Sequence, residues 1–274
     1  MIVSNAINWN SDPIIYDFGF LALRWYSMCF VVGFSYGFYY VRKLFRADGI
    51  KDEAMDKLLM YVVIATIFGA RLGHVLFYDI DILLNNPIEA FLPISFENGF
   101  EFIGFRGLAS HGGAIALLIA LYLFSKKIVK KPLHWIFDRI SPVIAFAGAF
   151  IRLGNFMNSE IIGNPTGSDY GVIFERIDLI PRHPAQLYES IGYLFIYFVL
   201  NAMIKRDKLK KPWSVFSMFL ILLFGVRFII EFFKNSQGGF EKSLELLSTG
   251  QWLSIPFILL GLFLMSKGDK FSKI

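Results

Sequence analysis

The sequence has a single cysteine in 274 residues. Cys29 can form neither an internal disulfide nor a thiolate metal cluster. It lies in an apolar run and reads as packing. Several catalytic signatures are missing as well. There is no G-x-S-x-G elbow for an activated serine and no H-E-x-x-H or other metal-ligand spacing. The four histidines are far apart in the chain. No Ser, Cys or Lys nucleophile stands beside a matched base. The opening MIVSNAINWNSDP has no Lys or Arg and no short apolar core before a small-residue cleavage site. A cleavable signal peptide is therefore not expected, and the first apolar run reads as a retained span. No internal repeat of the transporter kind is found. No insertion is large enough for a soluble domain, so 1–274 reads as one integral membrane domain.

Apolar residues are abundant. The chain is 55% hydrophobic and 18% aromatic, with a mean hydropathy of +0.54, whereas soluble domains are about 45–50% apolar. The net charge of +5 does not point to nucleic acid, because the basic residues cluster in short loops between apolar runs. A spanning helix needs about 20 mainly apolar residues. Seven runs approach that length, roughly Phe18–Tyr40, Leu58–Tyr78, Gly107–Phe124, His134–Phe156, Ala185–Ile204, Trp213–Phe233 and Gln251–Met265.

Lys and Arg alternate between the loops. The first loop carries Arg42, Lys43, Arg46, Lys51 and Lys57, the third Lys126, Lys127, Lys130 and Lys131, and the fifth Lys205, Arg206, Lys208, Lys210 and Lys211. The tail carries Lys267, Lys270 and Lys273. The second loop has only Arg106, the fourth Arg176 and Arg182, and the sixth Lys234 and Lys242. The positive-inside rule then predicts an outside N-terminus and a cytoplasmic C-terminus, which needs an odd number of crossings. The expected fold is an all-α polytopic membrane bundle of about seven transmembrane helices.

Polar residues in these runs share one depth. At 1.5 Å per residue, Arg152 lies roughly 27 Å above the cytoplasmic start of its span, and Arg227 and Arg71 lie about 20 Å up theirs. Arg24, Tyr26, His111, Gln186, Tyr188, Glu189 and Gln251 sit near the outer ends of the descending spans. An ionisable residue in a span is a functional hypothesis by default. Simpler roles compete with it. Arg227 and Glu231, at i and i+4, could form a plain helix ion pair. Arg152 could snorkel to headgroups, although Asn155, Asn158 and Glu160 next to it argue for a network. His111 could be a satisfied helix-start histidine, but Gly112 and Gly113 allow close approach to the backbone. His74 and His134 read as structural. Arginines at headgroup depth suit a phosphate, which a guanidinium grips with two donors. With no nucleophile of its own, such a site would assist one that another molecule brings.

The stretch IRLGNFMNSEIIG (Ile151–Gly163) resembles the signature of the prolipoprotein diacylglyceryl transferases. The resemblance extends along the chain through RWY (Arg24–Tyr26), GARLGHVLFY (Gly69–Tyr78), HGG (His111–Gly113), RHPAQLYES (Arg182–Ser190), VRFIIEFF (Val226–Phe233) and GQWLSIP (Gly250–Pro256). It implies transfer of the diacylglyceryl group of phosphatidylglycerol to the lipobox cysteine of a prolipoprotein signal peptide. A thioether forms and glycerol phosphate leaves, the first step of bacterial lipoprotein maturation. It also implies a multi-pass protein of the bacterial cytoplasmic (inner) membrane, among membrane lipid, with its active site toward the outer leaflet. No cofactor, metal or nucleic acid is implied. By the same resemblance, Arg152 and Arg227 map to phosphate-binding catalytic arginines, and His111 to the residue that would help deprotonate the thiol. Tyr26 and Asn155 map to essential positions, and Gly163 to the signature glycine. Asn158 and Glu160 would order the site, and Glu231 would orient Arg227.

This sequence departs from the family pattern at Ser27, at Ala114 and in the polar stretch Asn235–Leu247. Three rivals are a seven-span transporter or lipid receptor, a retinal protein and an intramembrane protease. The first expects a polar path through the whole membrane. The second expects a lysine in the last span, which has none between Gln251 and Met265. The third expects a Ser–His pair or two in-span aspartates.

Overall fold

The computed structural model describes residues 5–19, 22–86, 88, 94–95, 101–102, 107–235 and 247–271. Pro87, Pro93, Asn98, Gly99, Arg106, Lys242, Lys273 and the stretch 236–246 lie outside the described residues. The elements run in the order β1 (Ile7–Trp9), β2 (Ile14–Asp17), β3 (Ala22–Arg24), α1 (Trp25–Ala47), α2 (Asp52–Tyr78), α3 (Ile80–Asn85), β4 (Ile94–Ser95) and β5 (Glu101–Phe102). Then come α4 (Ser110–Phe124), α5 (Leu133–Met157), β6 (Val172–Phe174), β7 (Pro181–Arg182), α6 (Ala185–Lys205), α7 (Ser214–Ile230) and α8 (Thr249–Lys267).

Six helical stretches are long and apolar enough to cross a membrane: Asp52–Tyr78, Ser110–Val129, Leu133–Met157, Ala185–Lys205, Ser214–Phe233 and Thr249–Phe271. Their exposed faces carry large apolar side chains, such as Val63 and Ile64 on α2, Leu118 and Ile119 on α4, and Phe195 and Phe198 on α6. Water would not support such faces, whereas acyl chains do. The protein is an all-α polytopic membrane protein with small strands at its loops. The first expected run, Phe18–Tyr40, needs correction. Its start falls beside an antiparallel pair in which Ile14 stands opposite Arg24 and Asp17 opposite Ala22, and the helix begins only at Trp25. A short apolar run suits a strand as well as a helix. α1 has 23 residues, but its Tyr, Ser and Gly residues dilute its apolarity.

The chain divides into two compact units, Met1–Lys43 with Phe137–Ile274, and Leu44–Ile136. In the second unit, α2 and α4 pack backbone to backbone. A Cβ on Gly73 would lie 2.6 Å from Cα of Gly112, and the Ala109 N–H donates to the Ala70 carbonyl at 2.9 Å. Small residues allow this approach, and in lipid dispersion and close packing drive helix association. Phe45, Phe124 and Ile136 are fully or almost fully buried in this unit. α4 continues as a π-helical turn, Ser125–Val129, and stops at Lys130 in the left-handed region.

In the first unit, Asp138 of α5 is 1% exposed and caps α7 from outside. Its carboxylate accepts the N–H groups of Trp213 at 3.0 Å, Val215 at 3.0 Å and Phe216 at 2.8 Å. These are orphan donors at a helix start, where negative charge is favoured. α8 begins with a capping box between Ser248 and Gln251, and Gln251 Nε2 also donates to the Phe228 carbonyl of α7 at 3.3 Å. Tyr36 of α1 and Tyr197 of α6 are hydrogen-bonded through their hydroxyls, and Tyr40 donates to Asn201 Oδ1 at 2.8 Å. A three-stranded sheet, ordered β1-β6-β7, has a core of Phe156, Val172 and Phe174, with Trp9, Met157, Ile162 and Leu187 packed against it. It thereby anchors the chain that leaves α5 and returns to α6.

Candidate active site

α5 ends in a tight polar turn. Ser159 and Ile161 both have a φ of 56°, a conformation uncommon outside glycine and an outlier for a β-branched residue. Such strain costs about 1–3 kcal/mol per residue and must be held by its surroundings. The Glu160 N–H donates to the Asn155 carbonyl at 2.9 Å. The Glu160 carboxylate in turn accepts Asn155 Nδ2 at 3.0 Å on Oε2 and Asn158 Nδ2 at 3.2 Å on Oε1. Gln186 Nε2 of α6 donates to the Glu160 carbonyl at 2.6 Å. Arg152 joins the set through Nη1, which donates to Asn155 Oδ1 at 3.4 Å. Polar residues one turn apart on α5 thus share a network with the loop that follows.

A second layer lies behind it. Glu189 of α6 is 1% exposed, and an ionised carboxylate there needs cations. Arg152 Nε stands 2.8 Å from its Oε2, and Lys234 Nζ 3.8 Å from its Oε1. Lys234 Nζ also lies 3.6 Å from Glu231 Oε2, on the 3₁₀ turn that follows α7. Tyr193 is 4% exposed. It lies within electrostatic reach of Glu189, Arg227 and Arg152. Arg152 and Arg227, from two different helices, thus both act electrostatically on Tyr193.

Gly163 closes the layer. It pairs with Lys234 as an isolated bridge, and its N–H donates to the His183 carbonyl at 3.0 Å. A Cβ at Gly163 would lie 2.6 Å from the Phe233 carbonyl oxygen. Arg182 donates Nη1 to the Gly163 carbonyl at 3.2 Å, while Nη2 and Nε grip Asp178, the shortest contact being 2.6 Å. The Arg182 hydrogen bonds hold the Asp178 carboxyl below the usual aspartate range. Tyr26 of α1 packs its ring against Gly154 of α5.

The structure brings Arg152, Asn155, Asn158, Glu160, Gly163 and Glu231 into this linked set, with Arg227 within electrostatic reach of Tyr193 and Tyr26 packed against Gly154 of α5. Among the described residues, Glu231 forms an ion pair with Lys234 and none with Arg227. At i+4 the chain has already passed from α7 into the tighter 3₁₀ turn, and Glu231 turns toward Gly250 and Lys234. His111 belongs to the second unit. It is exposed at the start of α4, with the rings of Phe77 and Tyr78 at 5.0 and 5.8 Å.

Comparison with known proteins now bears on this set. The family described as prolipoprotein diacylglyceryl transferase matches residues 13–267. The chain belongs to this family. A relative from Tolumonas auensis is 44% identical over 94% of this chain and 95% of its own length. One from Bacteroides fragilis is 39% identical over 95% and 94%, and one from Chloroherpeton thalassium is 39% identical over 98% and 97%. Each is named phosphatidylglycerol–prolipoprotein diacylglyceryl transferase.

In this diacylglyceryl transferase family member, sequence reasoning missed three residues as site members. Glu189 and Gln186 entered only as polar residues near a span end, and Lys234 only as a loop charge. One signal was available for Glu189: a carboxylate in a span demands a buried cation. Nothing in the sequence placed Lys234 opposite it, because that contact depends on the Gly163 bridge. Gln251 was expected at the same polar level and serves as a helix cap.

Proposed function

We propose that this protein transfers the diacylglyceryl group of phosphatidylglycerol to the lipobox cysteine thiol of prolipoproteins. This is the first step of bacterial lipoprotein maturation. The thiol loses its proton, and the sulfur attacks the lipid carbon that bears the phosphate oxygen. That C–O bond breaks, a thioether forms, and glycerol phosphate leaves with the bonding pair on its oxygen. The thiolate is the nucleophile, and the substrate supplies it, which accounts for a chain with one packed cysteine.

The observation that carries this reading is the buried Arg152–Glu189 ion pair in a chain that matches the family from residue 13 to 267. Arg152 is held on one edge by Glu189 and by Asn155. Arg227 pairs with no carboxylate among the described residues, so its charge is available to an anion. Two guanidinium groups from different helices would grip the phosphate and stabilise the charge that grows on the leaving group. Asn155, Asn158 and Glu160 hold the turn around Arg152. Tyr26 contacts the lipid head, and Gly163 lets the Phe233–Lys234 backbone approach the turn. His111 is assigned the thiol proton on chemical grounds, since an imidazole is suited to proton transfer near neutral pH. The Lys/Arg alternation supports seven crossings with α1 among them and an outside N-terminus; the depth of the polar residues supports a site at the outer leaflet, and the family resemblance the cytoplasmic membrane.

The test is to mix the purified protein with phosphatidylglycerol vesicles and a lipobox cysteine peptide, and to measure glycerol phosphate release. Release that needs the thiol and is lost in Arg152→Ala and Arg227→Ala is expected. Release without the thiol, or none from folded wild type, would reject the reading. Residual turnover in His111→Ala with an unchanged pH profile would remove the proton role from His111 alone.

A further inference from the structure

Lys234 is not accounted for by the two-arginine mechanism, and this inference rests on that reading. Its side chain is 7% exposed. A buried ammonium is costly unless paired and hydrogen-bonded. It has three donors, yet its nearest carboxylate oxygens are 3.6 and 3.8 Å away, beyond hydrogen-bond length. Among the described residues, no side-chain acceptor takes a hydrogen bond from it. A purely structural lysine between two glutamates would close to about 2.8 Å on at least one of them.

Charge bears on it too. Lys234 stands against two carboxylates, Glu189 and Glu231, and Glu189 already holds Arg152. Glu160 is exposed, and its carboxylate takes two amide donors instead. The position of Lys234 is also fixed. Its backbone bridges Gly163, and Glu189 holds Arg152 on one oxygen and faces Lys234 with the other.

We propose that Lys234 is a third cationic ligand of this site and donates to an oxygen of an organic phosphate, that of the lipid headgroup or of the departing glycerol phosphate. The ammonium is a point charge that holds the phosphate equally before and after the C–O bond breaks, so it acts on binding, whereas the arginine forks fix orientation.

The test uses full-length wild type, Lys234→Met and Lys234→Arg in vesicles of varied phosphatidylglycerol content, with the lipobox peptide and added glycerol phosphate as inhibitor. Lys234→Met should raise KM for the lipid, the inhibition constant of glycerol phosphate, or both, at least about tenfold, the loss of one charge-assisted hydrogen bond. Its kcat should stay within about threefold of wild type, and Lys234→Arg should restore the constants. A shift in KM alone assigns Lys234 to the bound headgroup, and a shift in inhibition alone to the leaving group. A fall in kcat with both constants unchanged, or no change at all, would overturn the proposal and leave Lys234 a packing residue. If Lys234→Met does not fold, Lys234→Gln is scored by the same rule. If folded wild type releases no glycerol phosphate, the transfer reading fails. Lys234 is then judged on thermal protection by glycerol phosphate, which should appear in wild type and be absent in Lys234→Met.

Discussion

Arg152 and Glu189 face each other across α5 and α6, with Nε and Oε2 2.8 Å apart and the carboxylate 1% exposed. Neither helix could bury its charge alone. The pair fixes the arginine's edge and turns the rest of its guanidinium toward Asn155 and Tyr193.

Glu189→Gln should therefore cost both stability and turnover. Removing one partner of a buried pair costs about 3–5 kcal/mol. A lower melting temperature in detergent and at least a tenfold drop in glycerol phosphate release, on the order of 1.4 kcal/mol or more, are expected. Wild-type values for both would show that Arg152 does not depend on this carboxylate.

Gly163→Ala should abolish activity in a protein that still inserts. The added methyl would meet two backbone segments, at His183 and Phe233, and backbone cannot swing aside as a side chain can. Overpacking of this kind costs about 1–3 kcal/mol and would open the bridge to Lys234. Activity near wild type in the alanine variant would mean the bridge is dispensable.

The α7 cap offers a purely structural prediction. Asp138→Ala strands three N–H donors at the start of α7. It should lower unfolding stability by about 2 kcal/mol, visible as a lower melting temperature with KM unchanged. An unaltered melting curve would show that water or another group replaces the carboxylate.

Asp178 carries a pH dependence. Its folded-state carboxyl is held low by Arg182, so the stabilisation is fully present above the unfolded value of about 3.9. It is lost as pH falls through the lower folded value. Anchoring of residues 159–184 should be flat from pH 8 to about 5 and weaken only in stronger acid. Limited proteolysis in this loop against pH, with Asp178→Asn lacking the acid-limb change, checks it. A midpoint near neutrality would contradict the assignment.

Much of the fold was legible because span length and loop charge are coarse, redundant signals. The apolar runs from Leu58 onward each begin or end within a few residues of their helices. The start at Phe18 was not legible, since hydropathy cannot separate strand from helix over so few residues. Within the site, Arg152, Asn155, Asn158 and Glu160 are near neighbours in sequence, and the last turn of α5 with the tight turn after it brings them together. Glu189 and Lys234 come from other parts of the chain and meet only through packing. The pairing of Glu231 depended on where α7 tightened into a 3₁₀ turn, which an i, i+4 spacing cannot reveal.

The phosphate grip by Arg152 is the central claim, and Arg152→Lys tests it most directly. The peptide's mass is followed together with glycerol phosphate in vesicles of phosphatidylglycerol. Wild type should add one diacylglyceryl group per glycerol phosphate released, and Arg152→Lys should retain about a tenth of that rate or less, because a point charge cannot replace the two-donor fork. Equal rates in a folded Arg152→Lys protein would contradict the account.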